Sequence, residues 1–161
     1  MTILYRLFRL KFKLMKYKIL ISHRGNLSGP SQDSENTPWA IENAIIKGYD
    51  CEVDLWLSNQ KLYLGHDYPQ TEISINFLEE AKKNLWIHCK NYEALNFLSN
   101  QNADFNYFWH EDDKFTLTSK GYIWTYPNNV YSKNSVIVHL DADLNLKNDC
   151  YGICSDYVSR Y

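Results

Sequence analysis

Short apolar runs alternate with amphipathic segments through the first two-thirds of the chain. The apolar runs predict strands at residues 18–22, 50–57, 61–65 and 85–89. Between them, apolar residues at helical spacing predict helices at 38–47, 74–83 and 92–98. Strands that alternate with helices favour a parallel sheet covered by helices, so the sequence predicts an α/β fold.

Individual residues mark where the predicted helices begin and end. Thr37 followed by Pro38 is typical of a helix start, because the hydroxyl can cap the first turn and proline suits the first helical position. Gly48 is a typical C-terminal stop, and Ser74 is a cap for the second helix. These signals support the helical interpretation of the first two connections.

The last third of the chain repeats the strand pattern without clear helices. Strands are predicted at 105–109, 121–125, 135–140 and 151–155, and polar connections join them. We therefore expect proper helical crossovers only in the first part of the chain, with an abbreviated second half.

Composition excludes several classes of protein. The 161 residues are 45% apolar and 16% aromatic, which suits one globular domain with its own core and not a disordered chain. No apolar run is long enough for a membrane span, and a net charge of −2 does not suit a general nucleic-acid binder. The cysteines lack metal-knuckle spacing, so we expect reduced thiols in a cytoplasmic protein. They are Cys51, Cys89, Cys150 and Cys154.

The first residues differ in charge from the rest of the chain. Residues 1–18 contain six lysines and arginines and no acid, with leucine and phenylalanine between them. One interpretation is weak contact of residues 1–14 with a membrane surface. The other is that residues 1–14 are a dispensable extension before a natural start at Met15, which leaves residues 15–161 as the domain.

Two acidic residues interrupt the apolar strand at 50–57. Side chains alternate along a strand, so Glu52 and Asp54 share one face while Cys51 and Val53 share the other. A pair of carboxylates suits a hard cation such as Mg²⁺ or Ca²⁺. The alternative is an exposed edge strand with solvated acids.

Histidines follow two of the predicted strands. His23-Arg24-Gly25 comes directly after the first strand, and His66-Asp67 follows the strand at 61–65. Arginine binds phosphate oxygens with two hydrogen bonds, and histidine exchanges a proton near neutral pH. This pattern indicates a site for an anionic oxygen ligand at the strand ends.

Taken together, the motifs resemble the glycerophosphodiester phosphodiesterase family. They are His23-Arg24-Gly25, Glu35-Asn36-Thr37, Gly48 through Glu52-x-Asp54, and His66-Asp67, with weaker likeness at Trp124-Thr125 and at 154–157. The resemblance implies a TIM-type (β/α) barrel with its active site at the C-terminal strand ends. Such barrels need about 250 residues, so an abbreviated barrel with reduced helices in its second half is expected.

The resemblance also implies roles for individual residues. His23 and His66 would be the general acid/base pair. Glu52 and Asp54 would hold a divalent cation, Mg²⁺ or Ca²⁺, with Glu35 as a further ligand or its partner. Substrate or phosphate contacts would come from Arg24, Asn36, Lys90 and Trp124, although Trp124 suits a core aromatic equally well.

One position departs from the family pattern. The family carries Glu-x-Lys on its third main strand, and this chain has His88-Cys89-Lys90. As a ligand, His88 would shift preference toward Mn²⁺ or Zn²⁺, whereas the alternative is a packed core histidine.

The expected reaction is metal-dependent hydrolysis of a small glycerophosphodiester-like molecule to an alcohol and a phosphomonoester. The alternatives are a phospholipase C-like lyase that gives a cyclic phosphate, and a non-catalytic binding protein on a degenerate barrel.

Overall fold

The computed structural model describes residues 17–142 and 149–161, so the predicted extension at 1–14 lies outside the described residues. Ten described strands form one curled sheet. They are β1 (Ile19–His23), β2 (Asp50–Ser58), β3 (Lys61–Leu64), β4 (Thr71–Ile73), β5 (Leu85–Cys89), β6 (Tyr107–Phe108), β7 (Phe115–Leu117), β8 (Ile123–Thr125), β9 (Ser135–Val138) and β10 (Gly152–Ser155). The described helices are α1 (Pro38–Ile46), α2 (Ile75–Ala81), α3 (Tyr92–Ser99) and a short 3-10 helix, Val158–Arg160.

Most strands of the sheet run parallel. The hydrogen-bonded path is β4-β3-β2-β1-β10-β9-β8-β7, and β5 pairs with both β2 and β6. Strands β3, β4 and β7 pair antiparallel to their neighbours, as in hairpins. Strand β1 lies between β2 and β10, so the two ends of the described chain meet in the middle of the sheet.

The predicted helix caps are present. The Thr37 hydroxyl accepts a hydrogen bond from the Ala40 N–H at 3.3 Å, and the Ser74 hydroxyl accepts one from the Phe77 N–H at 3.3 Å. Asn91 caps α3 in the same way, at 3.1 Å from the Ala94 nitrogen. Gly48 follows α1 with a φ of +89°, a conformation that favours glycine. Local capping chemistry therefore explains where each of the three α-helices begins.

The expectation of a TIM-type barrel is met only at the coarser level of a mixed α/β fold with a curled, mostly parallel sheet. Within 17–142 and 149–161 there are three α-helices, too few for the eight units of a (β/α)₈ barrel. Strands β4 and β7 were not predicted from the sequence. Both are three residues long and are stabilised by antiparallel pairing with a neighbour.

The alternating faces of β2 separate the main apolar core from the face that carries Glu52 and Asp54. Cys51, Val53 and Leu55 are fully buried in an apolar cluster with side chains of α1, α2, α3 and β5. Strand β2 pairs with β1 on one side and β5 on the other, so the interpretation of an exposed edge strand is wrong. No helix among the described residues is long and apolar enough to cross a bilayer.

Candidate active site and metal centre

A pocket of about 470 Å³ opens where the parallel strands end. Strands β1, β2 and β5, together with the residues that follow β1, β3 and β5, contribute most of its charged and ionisable side chains. These are His23, Arg24, Glu52, Asp54, His66, His88 and Lys90. The carboxyl ends of parallel strands meet at one edge of a sheet, which is why residues far apart in sequence converge here.

Asp54 is surrounded by donors. Its Oδ2 accepts a hydrogen bond from Asn36 Nδ2 at 2.9 Å, and Arg24 Nε lies 3.0 Å from the same oxygen in an ion pair without hydrogen-bond alignment. Its Oδ1 accepts from His88 Nδ1 at 2.9 Å and lies 3.6 Å from Lys90 Nζ. Burial alone would raise the pKa of Asp54, but the His88 hydrogen bond and the charges of Arg24 and Lys90 lower it well below the usual value. Asp54 is therefore a carboxylate.

Glu52 has a contrasting environment two residues away. It is 3% exposed, and within the described residues its Oε2 is buried with no hydrogen-bond partner. The His23 Nε2 lies 3.8 Å from Oε2, and the His88 Nδ1 lies 4.0 Å from Oε1. Burial and the charge of Asp54 raise the pKa of Glu52. A buried oxygen without a donor has capacity to bind a further group.

Glu52, Asp54 and His88 form a buried group that fits a metal ion. Each offers one ligand atom, and these atoms lie within 4.8 Å of one another. The Glu52 Oε2 atom also fits a cation, because it is buried and has no hydrogen-bond partner among the described residues. His88 would have to change its tautomer to bind a metal through Nδ1. That nitrogen donates a hydrogen bond to Asp54, whereas ligation requires its lone pair. The His88 Nε2 lies 3.5 Å from the His110 carbonyl oxygen, which can accept the proton in the other tautomer.

His23 is oriented by a carboxylate from the far end of the chain. Its Nδ1 lies 2.8 Å from Asp156 Oδ1, which also accepts from Asn26 Nδ2 at 2.8 Å. Burial lowers the pKa of His23, but the Asp156 hydrogen bond and the Glu52 charge outweigh it and the net shift is upward. A proton on Nδ1 is thereby fixed toward Asp156, and Nε2 is directed toward Glu52 and the pocket.

Backbone conformation directs Arg24 into the site. Arg24 and Asn36 have left-handed φ angles of 54° and 53°, and their backbones are joined by a 2.9 Å hydrogen bond from Asn36 N to Arg24 O. A Cβ on Gly25 would lie 2.7 Å from the Ala40 Cβ, so only glycine lets this turn pack against α1. Glu35 Oε1 accepts from the Arg24 guanidinium at 3.1 Å and holds it in place.

Glu35 and Asn36 contact residues of the site but do not line the pocket. Glu35 contacts Arg24 and Asn26 and lies outside the group that could hold a metal, so it acts on the site through the Arg24 guanidinium and not as a ligand of that group. Asn36 is 2% exposed, and both ends of its amide are engaged with Asp54. Asn36 is not among the residues that line the pocket, so in this structure its amide positions Asp54.

His66 lies at the open side of the pocket. Its side chain is 40% exposed, and its Nδ1 is 2.7 Å from Asp67 Oδ1. Partial burial and the positive charge of Arg24 lower the pKa of His66, the opposite direction to His23. The two histidines that the sequence predicts as an acid/base pair thus share the pocket in different environments.

The other wall of the pocket is largely apolar and comes from the second half of the chain. It consists of Trp109, His110, Glu111, Trp124, Tyr126, Pro127, Val138 and Leu140. Trp124 is 2% exposed and stacks on Phe108 at 4.6 Å between ring centroids, which favours its interpretation as a core aromatic. His110 stacks on His88 at 4.3 Å, and burial lowers the pKa of His110 to about 4.

Sequence reasoning missed several of these residues. Asp156, Asn26, His110 and Tyr126 were not assigned to the site, although Asp156 lies in a segment that resembles the family. Asp156 directly follows β10, so its position after a predicted strand was the available signal.

No protein-family model, curated protein or solved structure matches this chain. The family suggested by the motifs therefore stays a resemblance.

Proposed function

We propose that this protein hydrolyses a small phosphodiester with the help of a divalent cation. One observation carries the proposal. The pocket at the strand ends brings together His23 and His66, the buried carboxylates of Glu52 and Asp54, and the cationic side chains of Arg24 and Lys90. The likeness of the motifs to glycerophosphodiester phosphodiesterases supports a substrate with glycerol, or another polyol, on one side of the phosphate.

The positive side chains account for binding of the phosphate. Arg24 and Lys90 both line the pocket, and both form ion pairs with the Asp54 carboxylate. Asp54 therefore positions the two cationic groups while they still face the cavity. The guanidinium is fixed at its other end by Glu35. A fixed guanidinium and an ammonium can receive the phosphoryl oxygens without reorganising when charge develops on them.

The histidines account for the proton transfers. One imidazole removes a proton from the attacking water, or from a neighbouring substrate hydroxyl, as the new P–O bond forms. The other donates a proton to the departing alkoxide as the old P–O bond breaks. His23 suits one role because Asp156 fixes its Nδ1 and leaves Nε2 toward the pocket. His66 suits the other because it is half-exposed at the pocket mouth.

Glu52, Asp54 and His88 would hold the cation. When bound, the cation offsets negative charge on the phosphoryl oxygens. The buried Glu52 Oε2 has no hydrogen-bond partner among the described residues, and this supports Glu52 as a ligand of the cation. Asp54 has a second role, because it also holds Arg24 and Lys90. The mixed oxygen and nitrogen donor set favours Mn²⁺ or Zn²⁺ more than an all-oxygen set would.

The fold proposed with this activity is a shortened (β/α) barrel. Strands β1, β2, β5 and β6 are parallel neighbours in chain order, and so are β8, β9 and β10, with β10 returning to β1. In the described part of the chain, β6 and β8 are not hydrogen-bonded to each other. Phe108 and Trp124 stack between these two strands and support a closed arrangement through side chains.

A panel of glycerophosphodiesters tests the activity. Purified protein is assayed in chelator and with Mg²⁺, Ca²⁺, Mn²⁺ or Zn²⁺, and products are identified by phosphorus NMR. We expect metal-dependent release of a phosphomonoester, abolished by Glu52→Gln and preserved by Glu79→Gln, which changes an exposed acid on α2. Accumulation of a cyclic phosphate would identify a lyase, and binding without turnover would identify a non-catalytic protein.

A further inference from the structure

A groove of about 260 Å³ lies between α1 and α2 and shares no lining residue with the candidate active site. On each helix the lining residues are three and four positions apart, so each helix turns one face toward the groove. They are Glu42, Ile45 and Ile46 of α1, Phe77, Glu80 and Ala81 of α2, and Asn84. The described residues that line the groove therefore combine apolar side chains with two acids and include no base.

The exposed side chains of the groove indicate what would cover it. Ile46 is 84% exposed, whereas Ile45 and Phe77 are partly buried against the main core. An exposed apolar surface bordered by charged residues marks an interaction site, because covering it removes apolar area from water. Glu42 and Glu80 are both exposed and can pair with cations. A matching occupant therefore carries apolar and basic side chains together.

Residues 1–14 have this composition. The segment contains four bases and no acid, and apolar and basic residues alternate from Phe8 to Leu14. All 19 acidic residues of the protein lie outside the segment, where they outnumber the bases. The segment and the rest of the chain therefore attract each other electrostatically. The nearest bases on the helices, Lys47 and Lys82, follow the last residues of α1 and α2 and do not line the groove.

The described chain begins beside one end of the groove. Lys18, just before β1, lines a second cavity together with Lys47 and Asp50. Lys47 directly follows Ile46 of the groove, and Asp50 accepts a 2.9 Å hydrogen bond from Nδ2 of Asn84, which lines the groove. Fourteen residues extend over as much as roughly 45–50 Å. A nine-residue helix such as α1 is only about 14 Å long, so the segment can reach the whole groove.

We propose that residues 1–14 bind in the groove between α1 and α2 of the same chain. Their apolar side chains cover Ile46 and Phe77, and their basic side chains pair with Glu42 and Glu80. A segment tethered beside its site acts at an effective concentration on the order of millimolar, so modest contacts suffice to keep it bound. The interaction is independent of the proposed phosphodiesterase activity, because the groove lies apart from that pocket.

Cross-linking of the full chain with a carbodiimide tests the contact. This reagent joins a lysine amine to a carboxylate beside it, and mass spectrometry identifies the joined peptides. We expect Lys11 and Lys13 to be joined to Glu42 or Glu80, and not to Glu93, which is exposed on α3 outside the groove. A mixture of labelled and unlabelled protein shows whether the joined residues belong to one chain. Absence of these links, equal links to Glu93, or links mainly between two chains overturns the inference.

Trypsin measures how much of the segment is bound, because a bound segment is protected from cleavage. Cleavage after Arg9 should be about tenfold slower in the full chain than in a synthetic peptide of residues 1–14. Glu80→Lys reverses a charge of the groove and should speed cleavage in the protein by about fivefold. Glu79→Lys is the matched control, because Glu79 is exposed on the same helix and does not line the groove. Equal rates in protein and peptide, or equal effects of the two variants, overturn the inference.

A second pair of variants and lipid vesicles complete the test. Ile46→Ser should speed cleavage after Arg9 by about fivefold because the apolar contact is lost. Val130→Ser, a change at a residue that is 82% exposed away from the groove, should leave the rate unchanged. The assay is repeated with vesicles of phosphatidylcholine and phosphatidylserine. Protection without vesicles supports the groove, whereas protection that arises only with vesicles assigns the segment to an anionic membrane and overturns the inference.

Discussion

Glu52 and Asp54 should respond in opposite directions to removal of their charge. They lie two residues apart on β2, share a face and are both almost fully buried. With metal removed by chelator, we expect Glu52→Gln to raise the free energy of unfolding and Asp54→Asn to lower it. The physical reason lies in the partners of each carboxylate.

For Glu52 the folded protein buries an acceptor that no donor of the described residues reaches. Leaving such an oxygen unpaired costs about 1–3 kcal/mol, and more when it is charged. In Glu52→Gln the charge is removed and the amide can donate toward His23 Nε2, now 3.8 Å from Oε2. That nitrogen can accept in neutral His23, because the Nδ1 proton is directed to Asp156. We therefore expect a gain of about 1–3 kcal/mol.

For Asp54 the same change removes the counter-charge of several groups. Arg24 at 3.0 Å and Lys90 at 3.6 Å would lose their anionic partner, and His88 and Asn36 would lose a charged acceptor. Breaking a buried ion pair by removing one member costs about 3–5 kcal/mol. Asp54→Asn should therefore destabilise by about that amount.

Urea unfolding in chelator, followed by tryptophan fluorescence, measures both effects. Equal m-values are required so that the midpoints report stability alone. Glu79→Gln is the control for loss of an exposed acid, and should change stability by less than about 0.5 kcal/mol. Added metal should stabilise the parent but neither variant of the pair, since ligand binding to the folded state adds to its stability. Equal destabilisation by both changes would refute the reasoning.

Three further predictions concern the other site residues. His23→Ala and His66→Ala should each lower kcat by about 10²–10⁴-fold in the diester assay; rates within a few-fold of the parent would contradict their assignment. Asp156→Asn should lower kcat by at least about 10²-fold without loss of secondary structure by circular dichroism, because the charge that orients His23 is removed. His88→Glu should shift metal affinity, measured by calorimetry, toward Ca²⁺ and Mg²⁺. The same ranking of ions in the parent and in His88→Gln would mean that His88 is not a ligand.

Local chemistry made part of the fold predictable from the sequence. Caps such as Thr37 and Ser74 act on residues within the next turn, and both mark the observed helix starts. Alternation along β2 assigned Glu52 and Asp54 to one face, because side-chain direction in a strand depends on the strand alone. The helices ended near where the pattern predicted, with α2 two residues shorter.

Contacts between distant residues could not be predicted in the same way. Asp156 pairs with His23 across 133 positions, and that partnership depends on β10 pairing with β1. Strands β4 and β7 are too short to show a pattern of their own and depend on an antiparallel neighbour. Glu35 matched a motif, yet its role depends on where the Arg24 side chain lies.

The register of three neighbouring strands explains how the site tolerates a reduced second half. His23 of β1 lies opposite Glu52 of β2, and Asp54 of β2 lies opposite His88 of β5. A shift of one residue in the β2–β5 pairing would turn one partner toward the apolar core, so burial of alternate residues of both strands in that core fixes this register. The packing of α1, α2 and α3 against the apolar face of these strands therefore maintains the site. The later strands add Asp156 and the apolar wall, for which short connections suffice.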